Sequence, residues 1–253
     1  MIKFFRKIRK QLLDENKVGK YLKYAIGEII LVMIGILLAL QVNTWNSNRE
    51  LKKEELKIMK SLHKEFSTNL IKFDNKFDDH IAKKESIETI ASINPSGFSI
   101  DSLYRLIQRV NNTPSYDPFQ GIYNSIISSG KVELISNDVL KEKVSGYQDL
   151  LMDYKDSEEA VILFLTQNLH KYLLSEGILG NYHYFRNKAE ISEEEERRIK
   201  EKFIKIIDSD KYENHLTFLA SWVNSVIKKG PILRKELISI IGLLESEIEK
   251  HEN

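Results

Sequence analysis

Glu28 is the residue in this chain most able to do chemistry, because it is a carboxylate set in an apolar run. From Ala25 to Val42 every residue other than Glu28 and Gln41 is apolar or glycine. In a low-dielectric setting a carboxyl group favours its protonated form, so it can exchange a proton or bond to a neighbouring helix. At about 100° per helical residue, Gly35, Ala39 and Val42 lie within about 40° of Glu28. Gly35-x-x-x-Ala39 is the small-residue spacing that lets two helices approach closely. Glu28, Gly35 and Ala39 are therefore the candidate helix-contact face, for a protein partner or a second copy of the chain. The competing reading is that Glu28, one turn inside Tyr24, bends back to the lipid headgroups.

Other chemistry is sparse. The six histidines, His63, His80, His170, His183, His215 and His251, are not spaced as metal ligands, and there is no H-E-x-x-H. Asp78-Asp79-His80 is the nearest approach to a cluster, but adjacent helical residues point in different directions, so it reads as a solvated face. The absence of cysteine excludes disulfides, Cys-ligated zinc and thiol catalysis. There is no G-x-S-x-G, Walker loop or dinucleotide fingerprint. The run Glu193 to Glu196 suits a helix N-terminus, where the macrodipole favours acids. Tyr182, Tyr184 and Phe185 read as packing beneath a loop or as the lining of a pocket. The expectation is a protein without catalytic residues, metal or cofactor. A net charge of +1, with no basic stripe after the apolar run, argues against nucleic acid as a partner.

Residues 116 to 135 gather several signals. Asp117-Pro118 predicts a helix start, an acid cap followed by proline at the first helical position. Ser128-Ser129-Gly130 predicts its stop, and KVELIS, residues 131 to 136, is the only strand-like run. One reading is a helix-to-helix turn whose glycine takes a positive φ. The other is a recognition surface for a partner protein or a peptidoglycan fragment, built from Tyr116, Phe119, Tyr123, Ser129 and Gly130.

The elements that must position these residues are helical. Residues 24–45 would make a helix of about 33 Å, enough to cross a hydrocarbon core of about 30 Å. Tyr21, Tyr24 and Trp45 stand where aromatic belts are expected. A basic flank of more than twenty residues and no A-x-A pattern after Leu40 point to an uncleaved signal anchor. Residues 1–23 carry eight Lys or Arg, against five in the fifteen residues after Trp45. The positive-inside rule then places the N-terminus in the cytoplasm. Met1, Phe5, Ile8 and Leu12 share one face of the basic 1–23 segment, which suits the anionic inner leaflet or simply sets topology. From residue 46 to 93, Leu51, Met59, Leu62, Phe66, Leu70, Phe73, Phe77 and Ile81 recur at helical spacing and predict an amphipathic stalk. Residues 94–253 predict a helical bundle. Its helices cover 100–110 (capped by Ser99 or Asp101), 118–129, 137–174, 193–208 (opened by the Ser192-Glu195 capping box), 212–228 and 232–251, the last two separated by Gly230-Pro231.

MIKFFRKIRKQLL, KYAIGEIILVMIGILLALQVNTWN and Phe119-x-x-x-Tyr123…Ser129-Gly130-x-x-x-Leu134-Ile135…Leu140 together resemble a family of single-pass membrane proteins of unknown function abundant in Bacteroidota. That resemblance implies a bacterial inner-membrane protein whose residues after 45 are periplasmic, and it carries no catalytic residues. The expected function is an inner-membrane-anchored helical scaffold or adaptor acting by protein–protein interaction. The alternative is a subunit of an ion-driven or energy-transducing complex that uses Glu28. A sensor is disfavoured because about 23 cytoplasmic residues leave no room for an output domain.

Overall fold

The structure, a computed structural model, describes residues 18–178 and 191–252, and every regular element among them is helical. The basic amphipathic segment before Val18 and the Tyr182, Tyr184 and Phe185 group lie outside the described residues. Helix α1 runs from Val18 to Ser92. No glycine falls between Gly35 and Gly97 and no proline precedes Pro95, so nothing interrupts its hydrogen-bond ladder. Asn94 stops it, accepting the Ser96 amide and turning the chain into the short 3-10 turn Pro95–Gly97.

The chain divides into two compact units, Met1–Leu56 and Lys57–Asn253. In the first, α1 contains an 18-residue window of mean hydropathy 2.4, none of it buried, which makes it long and apolar enough to cross a membrane. Leu31, Leu37, Leu38 and Val42 are all more than half exposed.

The second unit is built on three long helices. They are residues 57–92 of α1, α4 (Asp138–Phe164) and α7 (Asp210–Glu252). Ring contacts from Phe66 to Tyr147 and from Phe73 to Tyr154 set α1 and α4 parallel. Helix α7 runs against both, as Lys143–Glu236 and Lys229–Asp153 show on one side and Arg234–Asp74 and Lys60–Glu252 on the other. The core between them is Met59, Leu62 and Phe66 of α1, Val144, Leu151 and Val161 of α4, and Leu219, Val226, Leu237 and Leu244 of α7.

Two parallel neighbours in one chain require a return connection. Helix α2 (Ile100–Asn111, capped by Ser99), an extended stretch over 112–120, helix α3 (Gly121–Ser128) and the 3-10 turn Lys131–Leu134 supply it. After α4 come a π-turn, Leu165–Leu169, and α5 (His170–Ser175), ended by Gly177 at φ 67°. Helix α6 (Glu193–Ile207) starts from Ser192, whose hydroxyl accepts the Glu195 amide.

Four sequence expectations need correction. The helix expected to start at Pro118 starts at Gly121, because the Asp117 carboxylate is held by Lys155 at 3.0 Å instead of capping. KVELIS forms a 3-10 turn and no strand, launched by Gly130 at φ 70°. Gly230-Pro231 does not break the last helix, since α7 passes straight through it. The proline forfeits one hydrogen bond, but the flanks are tied by Lys229 to Asp153 and by a two-pronged Arg234–Asp74 pair. His80, expected on a solvated face, is fully buried, three residues before the equally buried Lys83 on the same side of α1.

Candidate functional site

A segment that lies extended along a helix has no ladder for its backbone, so each buried amide and carbonyl needs another partner. From Val110 to Tyr123 those partners are side chains, most of them on α1, met in descending order as the chain returns. The Lys83 ammonium donates to the Val110 carbonyl at 2.6 Å and to that of Asn112. His80 Nε2 meets Glu158 Oε1 of α4 at 2.9 Å, and Glu158 Oε2 accepts the Tyr116 amide at 2.9 Å. Lys72 donates to the Asp117 carbonyl. The Asn69 amide brackets Phe119, accepting its N–H at 2.8 Å and donating to its C=O at 2.7 Å. Finally, the two oxygens of Glu65 accept the amides of Ile122 and Tyr123, each at 2.9 Å.

Those last two amides belong to the first turn of α3, whose own N-cap residue, Gln120, makes no capping bond. Glu65 therefore caps a helix it does not belong to, its two oxygens set at the positive end of the dipole. The geometry is consistent with simple lengths. Eighteen helical residues from Glu65 to Lys83 span about 27 Å, close to what nine extended residues cover at about 3.3 Å each.

Glu65, His80, Lys83 and Glu158, all buried, are committed to this fastening. Burial pushes the Lys83 ammonium down to about 7, opposed by the Asp79 carboxylate. His80 Nδ1 has no hydrogen-bond partner, so the ring is held through Nε2 against Glu158 alone. Burial holds the Tyr116 and Tyr154 hydroxyls well above the usual phenol range and lifts Tyr147 to about 12, so none is a ready base. Their rings interlock with Phe66 and Phe73, Tyr116 standing edge-on to Phe73 at 5.2 Å. No group of three or more His, Asp or Glu is placed to hold a metal ion among the described residues.

What the fastening exposes is a ledge. The Phe119 ring is 56% exposed while its backbone is clamped by Asn69, and the Lys72 ammonium sits 3.9 Å from its centroid. Of the five candidate surface residues, Phe119, Ser129 and Gly130 face solvent, and Tyr116 and Tyr123 are buried in the core. Glu28, Gly35 and Ala39 belong to the other unit. A side chain added at Gly35 would meet nothing within 4 Å, so that face is open, and Glu28 is half-buried.

Reasoning from sequence missed Glu65, Asn69, Lys83 and Glu158. The available signal was register. Glu65, Asn69 and Lys72, and again His80 and Lys83, follow one another at three or four residues among Leu62, Phe66 and Phe73, which places polar side chains on a face otherwise apolar.

Fold and site together define an all-helical chain with one helix long and apolar enough to cross a membrane and a side-chain-fastened return segment. The chain belongs to a family of unknown function, DUF6090, which matches residues 28–154, from the acid in the apolar run through the fastened segment to Tyr154. No curated protein and no solved structure matches it.

Proposed function

We propose that this chain is an inner-membrane-anchored scaffold or adaptor that works by binding another protein, without catalysis, through the Asp117–Phe119 ledge. One observation carries the reading: Phe119 is an exposed aromatic on a backbone already immobilised by Asn69 and Lys72. An aromatic anchor ordered in advance loses little entropy on binding, which is the usual property of an interface hot spot. The commitment of Lys83, Glu65 and Glu158 to backbone groups, and of His80 to Glu158, engages the buried acids and bases of the site, which supports the non-enzymatic part. Charge bias around the apolar helix supports a cytoplasmic N-terminus and a periplasmic second unit.

The test is site-specific photo-crosslinking in cells. A crosslinker at Phe119 captures a defined protein, and one at the equally exposed Met152 does not. Phe119→Ala, read from a crosslinker at Asp117, loses that capture without lowering the unfolding temperature. Equal capture at both positions, or capture indifferent to Phe119→Ala, removes the ledge as the binding surface.

A second reading rests on Glu28, an acid within the apolar window, and makes the chain a subunit of an ion-driven or energy-transducing complex. Glu28→Gln keeps shape and hydrogen bonding but cannot exchange a proton. Under this reading it assembles normally and fails to complement a deletion strain. Full complementation by Glu28→Gln eliminates the reading.

A further inference from the structure

The end of α1 and the corner between α6 and α7 border a cleft of about 490 Å³. That volume is in the range of small-molecule sites. Its floor is apolar, with Ile87, Ile90, Ile207 and Leu216 all buried, while Ala91 and Ala220 keep its walls low. Every charged side chain lining it is acidic: Glu88, Asp208 and Glu213. Glu88 has a partner in Lys84 at 3.6 Å, whereas Asp208 and Glu213 pair with no base among the described residues. Lys211, two residues before Glu213, is turned onto the Tyr172 ring at 4.7 Å.

The backbone adds to the same sign. Helix α1 ends at Ser92 and α6 at Ile207, so two carbonyl-bearing, negative helix ends border the cleft. The last turn of α1 carries no basic residue to offset its end. The opposing positive end, the start of α7, is already balanced by Asp210 and Glu213 in its first turn. The α6 end is offset in part by Lys205 in its last turn, but an anion would still meet a lining whose charged side chains are all acidic, and a purely apolar molecule would leave the Asp208 and Glu213 carboxylates unused.

We infer that this cleft is a binding site for a small amphipathic organic cation, an apolar body with an ammonium head, seated on the isoleucine floor with its head between Asp208 and Glu213. The inference is independent of the partner-binding reading, since the two sites share no residue.

The experiment uses the full chain in nanodiscs of zwitterionic lipid, with empty nanodiscs as reference and ligand-observed NMR as readout. Three probes that share a phenylethyl body are compared: 2-phenylethylammonium, 2-phenylethanol and 3-phenylpropionate. The ammonium shows saturable binding above the reference and the other two do not. The exposed pair of changes Asp208→Asn and Glu213→Gln, which touches no buried group, weakens the ammonium roughly fivefold, the upper end for one exposed ion pair. Ala220→Trp fills the cleft and abolishes binding with the helical signal unchanged. Equal binding of the neutral alcohol, or of the ammonium to the charge-neutralised variant, overturns the cation assignment. Undiminished binding to a folded Ala220→Trp chain overturns the cleft itself. If Ala220→Trp does not fold, the charge-neutralised variant and the probe comparison still decide the outcome.

Discussion

Glu65 accepts two amides that no other group satisfies, so removing its oxygens leaves two part-buried donors at the start of α3. Glu65→Ala is expected to cost about 2–3 kcal/mol, near the upper end for stranding a buried donor, and Glu65→Gln, which keeps one acceptor, about half that. Thermal unfolding of the full chain in detergent, followed by circular dichroism, checks both. Lys83 gives a pH signature whose sign follows from its lowered pKa. Below about 7 it is charged in the folded and unfolded chains, and the full burial cost is present. Between about 7 and its ordinary value of 10.5 only the unfolded chain keeps the proton, so stability from this group rises with pH. The buried tyrosines act in the opposite direction at higher pH. Above about 10 the unfolded chain loses phenol protons that Tyr116, Tyr154 and Tyr212 retain, and stability falls. The melting temperature is therefore expected to climb from pH 7 to about pH 9.5 and drop beyond pH 10.5 or so. Lys83→Met, although less stable throughout because it strands two carbonyls, should lose the climb and keep the drop. A parent chain with a flat profile between pH 7 and 9 would contradict this account.

Among the elements, α7 shows why a sequence signal can be read for the wrong cause. Gly230-Pro231 has the form of a helix stop, yet the glycine is there for space: a Cβ at 230 would sit 2.0 Å from the Phe77 ring of α1. Gly230→Ala should therefore destabilise the bundle by about 1–3 kcal/mol through overpacking, although alanine is the better helix former. Phe77→Leu in the same chain should recover part of the loss, and additive losses in that double-mutant cycle would refute the steric account. Most of the helices were legible from sequence, because Ser99, Asn137 and Ser192 cap their helices from within their own segments and Gly130 and Gly177 take the positive φ expected of stops. What failed between residues 112 and 123 did so for one physical reason. Helix α3 is capped by Glu65, more than fifty residues earlier, and the extended 112–120 stretch is held by Asn69, Lys72 and Lys83. Local motifs report only local partners. The candidate site was legible as a place, residues 116 to 130, but its clamps were hidden as polar residues on an apolar helix face.

For the molecule as a whole, the apolar helix makes location and self-association testable. A periplasm-active reporter fused after Asn253 should be active and a cytoplasm-active one silent, as the eight-to-five basic bias across the apolar helix dictates. The opposite pattern reverses the orientation. Gly35 leaves open backbone on the face it shares with Ala39, so Gly35→Ile should lower a membrane two-hybrid signal several-fold, whereas Val32→Ile should not. An unchanged signal in Gly35→Ile means that face is no interface. One further consequence follows from the order in which the return segment meets its clamps. A ribosome releases Glu65, Asn69, Lys72 and Lys83 before it has made any of residues 110 to 123, and it makes Glu158 only afterwards. Four of the groups that receive the segment are thus waiting, on a helix already long enough to form, as the segment emerges. The last, Glu158, arrives with α4 and closes over Tyr116. Vectorial synthesis thus has four of the clamps made before the segment that needs them, and the exposed aromatic at Phe119 can be presented before the C-terminal helix exists.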